Sequence, residues 1–327
     1  MKPFIVLGLV GLLAAVSVAR AQQPVAAQRS PSLQPAKQYR VVDLKSGSAV
    51  IDQPGNYVLN RSWSFKDLPD GPLSIIDVVA DNVVLDFRGF AIDVEGMPDT
   101  AFITVIKVQG RLFTLKNAEI TICCGAQASA LRSTGVGTEI QGFRGYSFDA
   151  MSLAGRASVI RDSTFHARFG VGLSSFGRIE NTFISCKSGC LGLGGDQNKV
   201  LNSHLLPGEG SGLLIAGNNN VIAGNLLDFP SQGPELEIGI DVGGNGNVVR
   251  DNTLAIGGET FVAMNVSGTR NVIDGNIGAV VDTQGSILRG IRFEQNGNFY
   301  GDNRMQTAVP FDLGGTTQTD WGDNVGY

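Results

Sequence analysis

The stretch Gly246–Asn252, GNVVRDN, decides the fold because three later or earlier segments repeat its pattern: NNVIAGN at 219–225, RNVIDGN at 270–276 and GNFYGDN at 297–303. Each is a short apolar run closed by an asparagine. Taking that closing residue as a marker gives Asn225, Asn252, Asn276 and Asn303, and again Asn324 in WGDN. Toward the N-terminus Ser163, Asn181 and His204 take the same place in VIRDS, RIEN and VLNSH. The intervals from Ser163 are 18, 23, 21, 27, 24, 27 and 21 residues, and weaker copies end at Asn117 and Gly142.

Each interval holds three short β-rich runs, separated by a Gly/Asn turn, an Asn corner and a loop of variable length. From Gly239 the runs read GIDV, NVVRD and TLAI. None is long enough for a helix, and the period is two wherever it can be judged. Parallel strands so far apart in sequence cannot be hairpins, so each interval is one rung of a coil. Rungs stack at about 4.8 Å, which predicts roughly twelve rungs in a rod about 58 Å long. A sharp corner needs positive φ, which Asn tolerates, and stacked amides can bond from rung to rung. The marker Asn is therefore expected to hold the turn and to lie in one axial file.

Composition agrees. Glycine is abundant, 44 of 327 residues, nearly twice the usual share of about 7%. Lys2, the apolar FIVLGLVGLLAAVSV and Ala19-Arg20-Ala21 read as a signal peptide over 1–21. An uncleaved signal serving as a membrane anchor is the competing reading. Residues 22–38, rich in Gln, Ala and Pro, read as a disordered linker before a domain at 39–327. The expected location is secreted or periplasmic. Removing 1–21 takes away Lys2 and Arg20 and no acid, which leaves 23 basic against 30 acidic residues, a balance of −7. That argues against a nucleic-acid partner, and against an anionic polysaccharide unless cations intervene.

QPGNYVL at 53–59 and DNVVLDFRGFAI at 81–92, with the Val-x-x-x-Asn phrase, resemble the right-handed parallel β-helix of the pectate lyase-like superfold. The resemblance spans about 39–327 and implies an all-β single-stranded solenoid. Left-handed β-helices keep a strict 18-residue rung and leucine-rich repeats an L-x-x-L-x-L spacing; neither is present. In the lyases of this fold the site lies on an outward strand face, where carboxylates hold Ca²⁺ and an arginine abstracts the proton α to a uronate carboxylate. Aligning first strands gives an inward column, Leu191/Leu193, Leu213/Ile215, Ile240/Val242, Met264/Val266 and Ile291/Phe293. The outward column is Gly192, Leu214, Asp241, Asn265 and Arg292; four residues earlier stand Gly210, Glu237, Phe261 and Leu288. The resemblance therefore implies Glu237 and Asp241 as metal ligands and Arg292 with Asp241 as the catalytic pair. Phe261, Asn265, Glu259 and Arg289 would bind substrate, with the last two on loops. The same residues also fit a solvated sheet face, whose outward positions are polar and whose cross-rung charges stabilise the sheet. The motifs that mark these enzymes (WIDH, R-x-P-x-x-R, NTD with Gly-His-Gly, DPHD) are absent.

Cys186 and Cys190 can close the loop CKSGC, whereas Cys123 and Cys124 read as thiols. His166, at a loop start, and His204, at a corner, read as structural, since neither has a Cys or His at ligand spacing. The loops at 64–74, 227–237 and 279–289 are long enough to be walls, and the last two bracket the Asp241 face. The expectation is an exported carbohydrate-active protein, with a lyase of uronate polymers working by Ca²⁺-assisted β-elimination favoured over a glycoside hydrolase. Its rival is a non-catalytic envelope protein that binds glycans or protein partners.

Overall fold

The computed structural model describes residues 38–327 apart from 67–71, 97–101, 124–126, 149, 230–235, 257–258, 281–285, 308 and 327, and gives the backbone alone for a few more, including 236–237, 259–261 and 286–288. The signal peptide and nearly all of the linker lie outside the described residues. Every described strand pairing is parallel. One sheet stacks thirteen strands, close to the rung number expected. The other has 22 strands and is two files joined where Thr164–Leu173 and Phe183–Leu193 run through both. The chain thus winds through three faces per rung, in the right-handed sense that parallel crossovers take.

The core is the inward residue of each short strand, repeated along the axis. Ile140, Ile160, Ile179, Val200, Ile222, Val249 and Ile273 all have no exposed surface, and register stacks them in one line. Phe143 and Phe165 stack at 5.0 Å within the same interior. The inward column predicted from Leu191/Leu193 to Ile291/Phe293 is buried throughout.

The repeated phrase encodes two corners, not one. In GNVVRDN, Gly246 and Asp251 have φ of 66° and 54°, and an asparagine follows each. The same alternation holds at Asn219 and Gly224, Arg270 and Gly275, and Gly297 and Asp302. The expectation that the marker Asn itself takes positive φ is therefore corrected: the residue before it does, whatever its type, because the corner geometry is imposed from outside. Leu112, Ala157 and Phe176 adopt φ of 56–61° at the equivalent corner of earlier rungs.

The asparagine has another task. Its backbone N–H lies at the bend, where it cannot join the sheet ladder, and a buried donor must be satisfied. Asn225 N–H and its side-chain amide both donate to Asn252 Oδ1, at 3.0 Å each. Asn252 donates in the same way to Asn276, Asn276 to Asn303, and Asn303 to Asn324. Asn225, Asn252, Asn276 and Asn303 thus form the single axial file that was expected. A second file, Asn198, Asn220, Asn247, Asn271 and Asn298, links backbone N–H to side-chain oxygen at 2.8–2.9 Å. All five are fully buried.

Toward the N-terminus the amides give way to hydroxyls. Phe143 N–H donates to Ser163 Oγ, Thr182 N–H to Ser203 Oγ, and Ser203 N–H to Asn225 Oδ1. The file therefore passes through Ser203 and Thr182, not through His204 and Asn181 as the sequence reading placed it. Asn181, like Asn117 and Gly142, is the positive-φ residue one step earlier. Replacing Asn252 by Ala leaves the buried Asn225 N–H without its acceptor and takes one bond each from the Asn225 amide, which keeps the Val200 carbonyl, and from the Ile222 carbonyl. Asn252→Ala is expected to cost about 3 kcal/mol in urea unfolding followed by far-ultraviolet circular dichroism. Asp251→Gly, at the adjacent positive φ, is expected to change stability by less than about 1 kcal/mol.

Candidate functional site

Register confirms that distant residues share one outward row on the face formed by the strands Leu213–Ile215, Leu236–Val242, Glu259–Val266 and Ser286–Phe293. Leu214 pairs with Asp241, Asp241 with Asn265, Asn265 with Arg292, and Arg292 with Asp312. The Asn265 amide nitrogen donates to Asp241 Oδ1 at 3.1 Å. Asn265 is 7% exposed, and its Oδ1 is buried without a hydrogen-bond partner. The contact with Asp241 fixes the amide's orientation, since the flipped form would set oxygen against carboxylate. The carbonyl oxygen is thereby left buried and without a donor among the described residues.

The cations of this face are tied down. Arg292 Nη2 lies 3.1 Å from Glu294 Oε1, and Arg289 Nε lies 3.2 Å from Asp312 Oδ2. Arg289 and Glu259 belong to the strands Ser286–Phe293 and Glu259–Val266, not to loops. Pairing of Leu236 with Thr260 and Ile238 with Val262 sets Glu237 level with Phe261 along the backbone. The side chains of Glu237, Glu259 and Phe261 lie outside the described residues, as does most of the three proposed wall loops. Counting back four residues from Asp241 to reach the same face assumed unbroken alternation. The strands turn a corner instead: Ala263 and Met264 are both fully buried, and Gly239 and Ile240 are buried in succession on the rung before. The alternation slips by one at that bend. Among the described residues no three His, Cys, Asp or Glu side chains converge as a metal site would require.

Both histidines of the chain fall in one stripe on the second face, which the sequence reading did not bring together. His166 lies within the strand Thr164–Leu173 rather than at a loop start, and His204 opens the strand His204–Glu209. Tyr146 stacks on His166 at 5.2 Å, His166 meets Phe183 at 5.5 Å, and Phe183 meets His204 edge-on at 5.1 Å. Asp228 Oδ2 is 3.9 Å from His204 Nε2. Rings stacked rung on rung are ordinary cross-strand sheet contacts, which keeps the structural reading of both histidines. An open groove of about 620 Å³ at the corner of Asn117, Gly142 and Asp162 is polar, but Asp86 there already accepts from the Asn117 amide at 3.0 Å.

Cys186 and Cys190 are bonded, with Cα atoms 5.3 Å apart, and Cys123 is exposed. No helix among the described residues is long and apolar enough to cross a membrane.

No family model matches the chain, and no curated protein matches it in sequence. Solved structures do. The Dettilon tailspike protein superposes with a TM-score of 0.55 at 13% identity, over 86% of this chain and 60% of that one. The A-module of the Azotobacter vinelandii mannuronan C-5 epimerase AlgE6 gives 0.54 at 15% identity, over 86% and 91%. The chain therefore spans well under two thirds of the tailspike but nearly the whole epimerase module. At these identities the likeness is one of fold: the chain is a right-handed parallel β-helix protein.

The cystine closes a loop of about five residues, so Cys186→Ser with Cys190→Ser is expected to cost about 2 kcal/mol. Far-ultraviolet circular dichroism should retain its β signal, because the long strand's pairings on both sides do not depend on the bridge.

Proposed function

We propose that the protein is an exported glycan-binding β-helix that holds a polysaccharide on the outward row around Asp241 and Asn265. One observation carries this reading: Asp241, partly exposed on the outward row and held by the Asn265 amide through Oδ1, keeps its other carboxylate oxygen without a partner among the described residues. A polysaccharide is a dense array of hydroxyl donors, and a site built to accept from them discriminates strongly against ligands that lack them. The fold's likeness to a module that acts on mannuronan adds support. Export is supported by the apolar segment before Ala19-Arg20-Ala21 and by the Cys186–Cys190 bridge, which suits an oxidising compartment.

Binding fits the geometry better than elimination does. Elimination needs Arg292 free to meet the substrate, and its guanidinium is already engaged by Glu294 Oε1 at 3.1 Å. Calcium needs six to eight oxygens. Asp241 offers one carboxylate, one oxygen of which already accepts from Asn265, and the next carboxylate in register is Asp312, three rungs on. The donor set among the described residues does not fit the ion, and the proposed binding uses the protein's own groups.

The test is titration calorimetry against oligosaccharides of mannuronate, galacturonate and glucose, with and without Ca²⁺, alongside ultraviolet absorbance for a new double bond. The expected result is binding without Ca²⁺ and no rise in absorbance. Asn265→Leu should weaken binding about tenfold or more while leaving thermal stability unchanged or higher, because it removes an unsatisfied polar atom. Binding that survives both Asn265→Leu and Asp241→Ala would overturn the site, and a rising absorbance would restore the lyase reading.

A further inference from the structure

Charge is divided unevenly along the rod. Residues 101–200 hold 11 Lys and Arg against 6 Asp and Glu, a balance of +5, whereas residues 201–327 hold 5 against 14, a balance of −9. Two such rods laid side by side in opposite directions set the basic stretch of each against the acidic stretch of the other. Opposed potentials of this kind steer association and fix its direction.

The row that carries Asp241 has the same polarity rung by rung. In register it runs Lys107, Arg132, Ser152, Gly172, Gly192, Leu214, Asp241 and Asn265. Lys107 and Arg132 are directly opposite each other, an arrangement that destabilises a sheet, and neither is in an ion pair with a described carboxylate. Turned end for end about a point between Gly172 and Gly192, the row meets itself with opposite chemistry. Arg132 falls on Asp241, whose second oxygen has no partner among the described residues. Ser152 falls on Leu214, which is 45% exposed, Gly172 falls on Gly192, and Lys107 falls on Asn265, one step from Asp241.

The centre of that row is low enough for two sheets to touch. Ser152, Ala154, Gly172, Ser174, Gly192 and Gly194 line an open groove of about 570 Å³. The fold does not require glycine at its middle. Gly172 and Gly192 have ordinary φ, a Cβ on Gly192 would meet nothing within 4 Å, and one on Gly172 would meet only the Met151 carbonyl at 4.0 Å. Glycine weakens a strand interior and marks places where another backbone approaches closely.

We propose that a second copy of this chain docks on this face, antiparallel to the first, about a twofold axis between the Gly172 and Gly192 rungs. A twofold contact is isologous, so the pair of Arg132 with the second copy's Asp241 occurs twice. Seven steps of about 4.8 Å by five residues of about 3.3 Å give roughly 550 Å² per copy. The total of about 1,100 Å² is at the low end for a specific interface, which makes the dimer weak and sensitive to salt. The contact covers the Asp241 oxygen assigned above to a glycan, so glycan and second copy compete for it. The dimer itself is read from the whole row and does not rest on that assignment.

The test is sedimentation velocity across a concentration series at low and high NaCl, with circular dichroism to check folding. The wild type should show a monomer–dimer equilibrium with a Kd of about 1–100 μM at low salt, weakening as salt rises. Arg132→Glu, at an exposed side chain, should weaken the dimer about a hundredfold. Adding Asp241→Arg to it should bring the dimer back to within about tenfold of wild type, because each contact regains opposite charges. Gly192→Val should weaken the dimer about tenfold with a thermal midpoint equal to or above wild type, since valine favours strands. If the charge-swapped variant fails to fold, Arg132→Glu and Gly192→Val decide, and a dimer unchanged by both overturns the proposal. A wild type that stays monomeric throughout overturns it as well, as does a folded charge swap that stays monomeric. Calorimetry with the oligosaccharides named above, run on the monomeric Arg132→Glu variant, reads the glycan site separately, so failure of the dimer and failure of that site are distinguished.

Discussion

A corner N–H accepted by the side-chain oxygen of an asparagine one rung on is the interaction that the rest of this structure depends on. Each bend takes one backbone donor out of the sheet ladder and buries it. Leaving such a donor unpaired costs about 1–3 kcal/mol, and the solenoid has two such corners on every repeat of the phrase. Asn247, Asn252 and their counterparts answer with a group that accepts from the rung before and whose own N–H donates to the rung after. The file is directional and continuous, so rungs fix one another's register. Where hydroxyls replace the amides, at Ser163 and Ser203, the N–H of the rung before is still answered, by a serine oxygen at 3.2–3.3 Å.

With register fixed, the outward rows become surfaces of defined chemistry. Some of that chemistry is consumed internally: Arg292 by Glu294, Arg289 by Asp312, and Arg161 by Glu139. Partly exposed pairs of this sort contribute little stability each, but they settle which charges remain for a ligand. What they leave on this row beside Asn265 is the second oxygen of the partly exposed Asp241 carboxylate.

The phrase GNVVRDN made the solenoid, its parallel strands and its buried column readable, because a period-two run between two breakers admits few other structures. The asparagine file was readable too, but its purpose was read one residue off. Positive φ and buried hydrogen bonding sit on neighbouring residues, and in the C-terminal rungs both are often Asn or Gly, as at Asn219-Asn220. Only the earlier rungs separate them, where Asn181 and Asn202 keep the bend while Thr182 and Ser203 keep the bond.

The sequence by itself determined the repeat, the three faces and the one-rung neighbours Asp241, Asn265 and Arg292, since these follow from spacing alone. Only the tertiary structure decided what those neighbours do. It decided that Asn265 turns its amide to Asp241, that Arg292 is taken by Glu294, and that alternation slips where Ala263 and Met264 both face inward. It also joined Lys107, Arg132, Ser152 and Gly172 to the row in which the sequence had already placed Gly192. The reason is physical: periodicity fixes position along a strand, whereas side-chain pairing and bends depend on distances that exist only once the rungs are stacked.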